Sequence, residues 1–434
     1  MKHIIFWVVF LVAAGGVAWN VRRLIGYLRV GKSEDRFGNI GTRIRNVLVV
    51  AIGQSKLLRE PVAGAIHAMI FWGFLVLLAA VIESVVEGLI PGGNLFWLGP
   101  VYSVLTVSQD VFCVLILIGV LWALWRRYVV VPPRLRVDKA ERRDAALILG
   151  LIGLIVVSLL LTNAARYPAG DESGWAVRPV GSLLAGLFEN PSTARVVFET
   201  SWWLHIVTIL GFMNYLPYSK HLHVMTSIPN VYFARIEGSG AKLEKIDFEE
   251  EGVEKFGVTD IEDFTWKQLL DGMTCTHCGR CTSVCPASIT GKVLDPRQVI
   301  IQINHRTLDK APLMVGENGT LIQRANDEVE VEQAEALGAS VLDKKLAGDY
   351  IPIEALWQCT TCMACVQECP VMIEHVPAIV DMRRALVMME ANFPPEVQPS
   401  FQNMENNFTP WAFSPSERAD WAQDLPYVRT MESA

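Results

Sequence analysis

The 434-residue chain is 51% hydrophobic and 19% charged, with a net charge of -7; the length allows two or three domains, and the balance is too apolar for an ordinary soluble protein. Residues 1–217 hold the long apolar runs, whereas the acidic surplus lies mainly in residues 235–434 and leaves no basic footprint for nucleic acid. No glycine-rich phosphate loop, dinucleotide fingerprint or nucleophile elbow is present, which argues against the chemistries those motifs serve.

In chain order, apolar segments at 3–20, 63–89, 103–125, 145–162 and 197–217 are each near the ~20 residues a helix needs to cross a bilayer. The first lacks a small-x-small cleavage site and reads as a helix rather than a removed signal. Lys and Arg crowd two of the connecting segments, from Arg22 to Arg59 (including Arg36, Arg43 and Lys56) and from Arg126 to Arg143 (including Arg134). The other two are uncharged, between Pro91 and Val101, or mixed, with Arg166, Arg178 and Arg195 against Asp171, Glu172 and Glu189. The positive-inside rule then sets the N-terminus outside and everything after Pro217 in the cytoplasm, a multi-pass protein of the cell inner membrane.

Ionisable groups in such helices are functional candidates. His67 lies near the inner end of the second helix, His221 and His223 just past the fifth on the same side, and His205 in the outer half of the fifth. His205 and His223 are 18 residues apart, roughly 27 Å at helical rise, so one haem cannot use both. His67 with His223 or His221 suits bis-histidine ligation of a haem b. That pairing leaves His205 for a second haem or a quinone; the plainer reading makes His221 and His223 interfacial residues. Glu83, Glu87 and Asp110 are either proton carriers for a quinone or paired structural groups. Cys113, in an apolar helix, reads as a small buried hydrophobe.

Beyond the membrane domain (1–228), a linker (229–262) contains Gly238-Ser239-Gly240 and the acidic run Glu249 to Glu251. A short helix near 265–271 leads into Cys275, Cys278, Cys281 and Cys285 with Pro286, and the same pattern returns at Cys359, Cys362, Cys365 and Cys369 with Pro370. This C-x2-C-x2-C-x3-C-P spacing brings four thiolates around a [4Fe-4S] cube. Disulfides suit a reducing compartment poorly, and zinc usually takes cysteine pairs set well apart. By ferredoxin precedent the fourth cysteine serves the other cube, which groups Cys369 with the first run and Cys285 with the second. Helical stretches near 295–308, 353–359 and 376–392, with a turn at Gly316-Glu317-Asn318-Gly319, make 263–392 an α-helical ferredoxin-like domain. Residues 393–434 mix proline with Phe408, Trp411, Phe413 and Trp421 and read as an extended tail that docks a partner.

Leu216-Pro217-Tyr218-Ser219-Lys220-His221-Leu222-His223 and Asn230-Val231-Tyr232-Phe233 make the first half resemble two families: the cytochrome b gamma subunits of respiratory nitrate reductase and the membrane subunit of methanogen heterodisulfide reductase. The cysteine half resembles the two-cluster module of heterodisulfide-reductase-like enzymes. Together they resemble the N-terminal portion of membrane-bound electron-transfer-flavoprotein:menaquinone oxidoreductases. The resemblance implies a mainly α protein, a five-helix transmembrane cytochrome b bundle plus a cytoplasmic ferredoxin-like domain. It also implies electron transfer from an electron transfer flavoprotein to menaquinone through two [4Fe-4S] clusters and one or two haems b. Two departures stand out. The sequence has no CCG motif, which implies a CCG-domain partner subunit or a longer parent chain; and Phe74-Leu75-Val76-Leu77-Leu78 occupies the place of the family's second helix-2 histidine, leaving the outer haem without its usual ligand. Two rival readings are a quinol-oxidising subunit of a heterodisulfide- or sulfite-reductase-like complex, and an anchor that only wires a larger assembly.

Overall fold

A computed structural model describes residues 1–170, 177–236, 243–249, 252, 255–315 and 339–429. Asp171, Glu172, Gly238-Ser239-Gly240, Glu250, Glu251 and the turn expected at Gly316-Glu317-Asn318-Gly319 lie outside the described residues.

Among the described residues five helices, α1 (Lys2–Leu28), α2 (Pro61–Leu89), α3 (Pro100–Trp125), α4 (Lys139–Arg166) and α5 (Pro191–Tyr215), are long and apolar enough to cross a membrane. Two of them, α4 and α5, start well before the apolar cores seen in sequence because capped polar turns extend them. The Asp138 side chain accepts the Glu141 N–H and starts α4 at Lys139 rather than 145. Asn190 caps the N–H groups of Ser192 and Thr193, and Pro191 suits the first turn of α5.

Helices α2 to α5 pack in chain order, and α1 lies against α5 and α2. The core shared by α2, α3 and α4 holds Leu77, Cys113, Ile116, Leu149, Val156 and Leu160, so Cys113 is the small buried hydrophobe expected. Close approach depends on glycine: a Cβ on Gly73 would stand 2.5 Å from the Ile116 side chain, and one on Gly88 equally close to Phe6. Phe6 in turn packs on Phe10 and Trp202, with ring centroids 5.9 and 5.8 Å away. The outward faces stay apolar, as Ile4, Val8, Leu11 and Val12 of α1 show, which suits contact with lipid.

Past α5 come α6 (His223–Tyr232), α7 (Trp266–Thr274), α8 (Pro296–Met314), α9 (His375–Met388) and α10 (Gln398–Asn407). A capping box of Thr265 and Gln268 opens α7, and Asp295 with Pro296 opens α8. Among the described residues there is no strand; Lys32 and Thr265 form an isolated bridge.

Two compact units result, residues 1–245 with 260–379, and residues 246–259 with 380–434. The five long helices and both cysteine runs share the first. In the second, Val258 donates its N–H to Asp381 O at 2.9 Å. The tail, expected to be extended, contains α10, whose first turn accommodates Pro399. Phe408, Trp411, Phe413 and Trp421 are exposed.

Candidate functional site

The two cysteine runs share a backbone form that their spacing alone does not reveal. His277 and Thr361 both have φ 55°, and Gly279 and Met363 have φ 72° and 62°, at equivalent places in the two loops. Holding three non-glycine residues in the left-handed region costs of order 1 kcal/mol or more each, a strain typical of loops shaped to carry a ligand. Gly279 has a second reason to be glycine: a Cβ there would lie 3.2 Å from both Cβ and O of Arg134.

The thiols gather around two hollows. Cys275, Cys278, Cys281 and Cys369 line one; Cys285, Cys359, Cys362 and Cys365 line another. Among the described residues no three His, Cys, Asp or Glu side chains converge as ligands of a single metal ion would; four sulfurs spread around a cavity suit a larger inorganic core. Arg297 lines the first hollow with a buried Nε that has no partner, a donor a cluster sulfur would satisfy. Burial pushes the Cys365 and Cys369 thiols up to about 12. They would therefore ionise against iron, not in its absence. In the second hollow Cys362 is exposed and Cys359 half-buried beside the buried Cys285 and Cys365, whereas in the first only Cys278 is half-buried and none is exposed. The second hollow is thus the solvent-side one.

The first hollow is the membrane-side one, fastened by residues from the segments between the long helices. Lys56 Nζ donates to the carbonyls of Gln367 (3.1 Å) and Cys369 (3.2 Å). Arg280, beside Cys281, donates to Lys56 O at 3.0 Å and pairs with Glu368, while Arg134 forms a two-pronged pair with Glu60 at the start of α2. His277 Nδ1 is 3.5 Å from Glu141 Oε1, and Lys220 Nζ donates to Glu141 O at 3.0 Å, so the first loop reaches the start of α4 and the histidine stretch.

A buried charge network completes the attachment. Glu374 accepts from Arg36 Nη1 and Nη2, each at 3.0 Å, and from the Arg235 N–H at 2.9 Å. Lys267 and Asp271, an i,i+4 pair on α7 at 2.7 Å, are almost fully enclosed, and Asn230 of α6 donates to Asp271 and to Val371 O, both at 2.9 Å. Burial alone would raise the Glu374 carboxyl; Lys267 and Arg36 outweigh it and hold the group below its usual range. Arg36, Lys56 and Arg134, read in sequence as orientation signals, are therefore also the attachment points of the cysteine domain.

The histidines fall into two groups. His67 lies close to His221 and His223, and the His221 and His223 rings are 5.6 Å apart. His223 Nδ1 bonds Lys220 O at 3.1 Å, and His221 Nδ1 sits 3.1 Å from Ser219 Oγ and 3.7 Å from Asp144 Oδ2. Anchoring one ring nitrogen this way leaves the other free, the usual arrangement of a metal-binding histidine. His67 Nδ1 is buried and without a partner. His205 stands apart: Nδ1 contacts Ile155 O (2.9 Å) and Ser158 Oγ (3.2 Å) of α4, and Nε2 is buried and unbonded. These open nitrogens fit an iron or hydrogen-bonding group brought in from outside.

The acidic candidates Asp110 and Glu87 are paired. Asp110 accepts the N–H groups of Val180 and Gly181, and Glu87 contacts Arg166 at 3.4 Å. Sequence reasoning singled out neither Glu374, Lys267 and Asp271 nor Arg297; their roles depend on partners far away in the chain. Only the i,i+4 spacing of Lys267 and Asp271 left a local trace.

Residues 274–373 match the model of a 4Fe-4S dicluster domain. Over 436 residues the chain is 35% identical to the probable iron-sulfur-binding oxidoreductase FadF of Bacillus subtilis (strain 168), covering 98% of this chain and 61% of that one. It is 34% identical to the EtfAB:quinone oxidoreductase of Syntrophomonas wolfei, covering 90% and 55%, and 31% identical to a probable membrane-anchored ferredoxin of Chromohalobacter salexigens, covering 87% and 52%. The chain spans little more than half the length of these relatives. No solved structure matches it.

Proposed function

We propose that the chain is a membrane-bound electron-transfer subunit of a quinone-linked oxidoreductase, passing electrons between a cytoplasmic donor and menaquinone. Cys275, Cys278, Cys281 and Cys369 hold one [4Fe-4S] cube, and Cys285, Cys359, Cys362 and Cys365 hold the other. When bound, each cube takes up and releases one electron without a proton. His67 with His223 or His221 would hold a haem b, and His205 is free for a second haem or a quinone. The donor is an electron transfer flavoprotein, acting through a CCG-domain partner at the exposed Cys362 side; the cysteine domain and this partner face the cytoplasm, and the N-terminus lies outside. The relative named as an EtfAB:quinone oxidoreductase supports this reading.

The observation that carries it is the position of the membrane-side hollow. Its loops meet Lys56, Arg134 and Glu141 of the membrane half, and Glu141 is bonded to Lys220 of the histidine stretch. The chain's residues fix the cubes' order, keep water from the buried thiols and present the inner one to the bilayer.

The test uses the whole chain in detergent, reduced by dithionite and mixed with a menaquinone analogue. Reoxidation of the visible cube absorbance that disappears in Cys278→Ser is the expected result. Cubes that stay reduced in the presence of quinone would overturn the proposal.

A further inference from the structure

The two hollows differ in the charge around them. Lys56 donates only to main-chain carbonyls, at 3.1 and 3.2 Å, and among the described residues no carboxylate lies within ion-pairing distance of its ammonium. Lys56 reaches the membrane-side hollow through the Cys369 carbonyl, whereas Arg297 stands in its wall; the Arg297 Nη1 is 3.5 Å from Arg134 O and its Nη2 3.5 Å from Asp295 Oδ2, so its charge is partly offset. Main-chain N–H groups face thiols in both hollows, those of His277, Val371 and Ile373 in the first and that of Thr361, which donates to Cys359 Sγ at 3.4 Å, in the second, so the side-chain cations are what set the two apart. The solvent-side hollow has no charged side chain in its wall, where Leu294, Val376 and Ile379 pack around the thiols.

A cube gains negative charge on reduction. A cation or N–H donor beside it stabilises the reduced form and raises its potential, more strongly where water is excluded. We infer that Lys56 and Arg297 hold the membrane-side cube at a higher potential than the solvent-side cube, with Lys56 the larger contributor. The membrane half thereby sets, through one lysine between α1 and α2, the direction of electron flow toward the bilayer. One electron lost by the solvent-side cube is gained by the membrane-side cube, and no proton is exchanged. The inference rests on the ligation and path proposed above.

The experiment is a potentiometric titration followed by electron paramagnetic resonance on the whole chain in detergent, for wild type, Lys56→Gln, Lys56→Arg and Arg297→Gln. Wild type should show two potentials, the higher belonging to the cube lost in Cys278→Ser. Lys56→Gln should lower that potential alone, Lys56→Arg should leave it near wild type, and Arg297→Gln should lower it by less than Lys56→Gln. Potentials that do not move in Lys56→Gln, or that move equally, would overturn the inference. Where Lys56→Gln fails to retain iron, Arg297→Gln decides, and an unmoved pair of potentials there overturns it too. Wild-type protein with far fewer than about eight irons per chain would instead overturn the two-cube reading beneath it.

Discussion

Replacing Glu374 by Gln removes the one carboxylate shared by Arg36, Arg235 and Lys267. In the folded protein Arg36 grips both oxygens at 3.0 Å, Arg235 reaches one with its N–H at 2.9 Å and the other with Nε at 3.0 Å, and Lys267 is 4.0 Å away. Both Arg36 and Glu374 are only 5% exposed, so water cannot take over the lost interactions. Removing one partner of a buried pair costs about 3–5 kcal/mol when the other charge is left alone; here Arg36 keeps Glu34 at 2.6 Å, Arg235 keeps Glu244 at 2.7 Å and Lys267 keeps Asp271 at 2.7 Å, which puts the cost at the lower end, about 3 kcal/mol. At a urea slope near 3 kcal/mol/M, that is a fall of roughly 1 M in the midpoint. The assay is urea-induced bleaching of the cubes' visible absorbance in detergent. The loss should depend on pH in a definite sense. Glu374 titrates below its ordinary 4.5 in the folded state, so its contribution is complete above about pH 4.5 and fades as pH falls through the folded value. Wild type and variant should therefore converge in acid. An unchanged midpoint at neutral pH would refute the view that this network fastens the second cysteine loop.

His67→Ala should abolish a haem b absorbance band, and an unaltered spectrum would defeat that ligand assignment. Gly279→Ala, at φ 72° and with Arg134 in contact, should destabilise the first loop by about 1–3 kcal/mol, seen as earlier urea bleaching of the membrane-side cube. Asp110→Asn weakens the capping of the Val180 and Gly181 amides and should lower stability by about 1–2 kcal/mol while leaving quinone-driven reoxidation unchanged. Slower reoxidation would return Asp110 to proton traffic.

The helical architecture was legible because apolar length and cysteine spacing are local signals. The five long helices could be read from runs of hydrophobic residues, and their true starts were missed only where a cap such as Asp138 or Asn190 draws polar residues into the helix. Both cysteine loops were visible as motifs. Their left-handed residues were not, because Thr361 and Met363 carry no glycine signal. The attachment of the two halves was hidden for another reason. Arg36 and Glu374 are distant in the chain, and an arginine in a loop beside a membrane helix looks the same whether it faces phospholipid or a buried carboxylate. Charge beside the bilayer thus carried two meanings, and only the fold separates them. The acidic residues of α2 and α3 gave the opposite lesson: Asp110 and Glu87 stood out in an apolar context, yet each has an ordinary structural partner.

The most direct measurement compares the cluster spectra and iron content of four variants of the whole chain: Cys278→Ser, Cys369→Ser, Cys285→Ser and Cys362→Ser. If each run lends its last thiolate across to the neighbouring cube, Cys369→Ser will reproduce the residual spectrum of Cys278→Ser, and Cys285→Ser that of Cys362→Ser. A Cys369→Ser spectrum that instead matches Cys362→Ser would contradict the crossed arrangement and, with it, the placement of one cube against the membrane half.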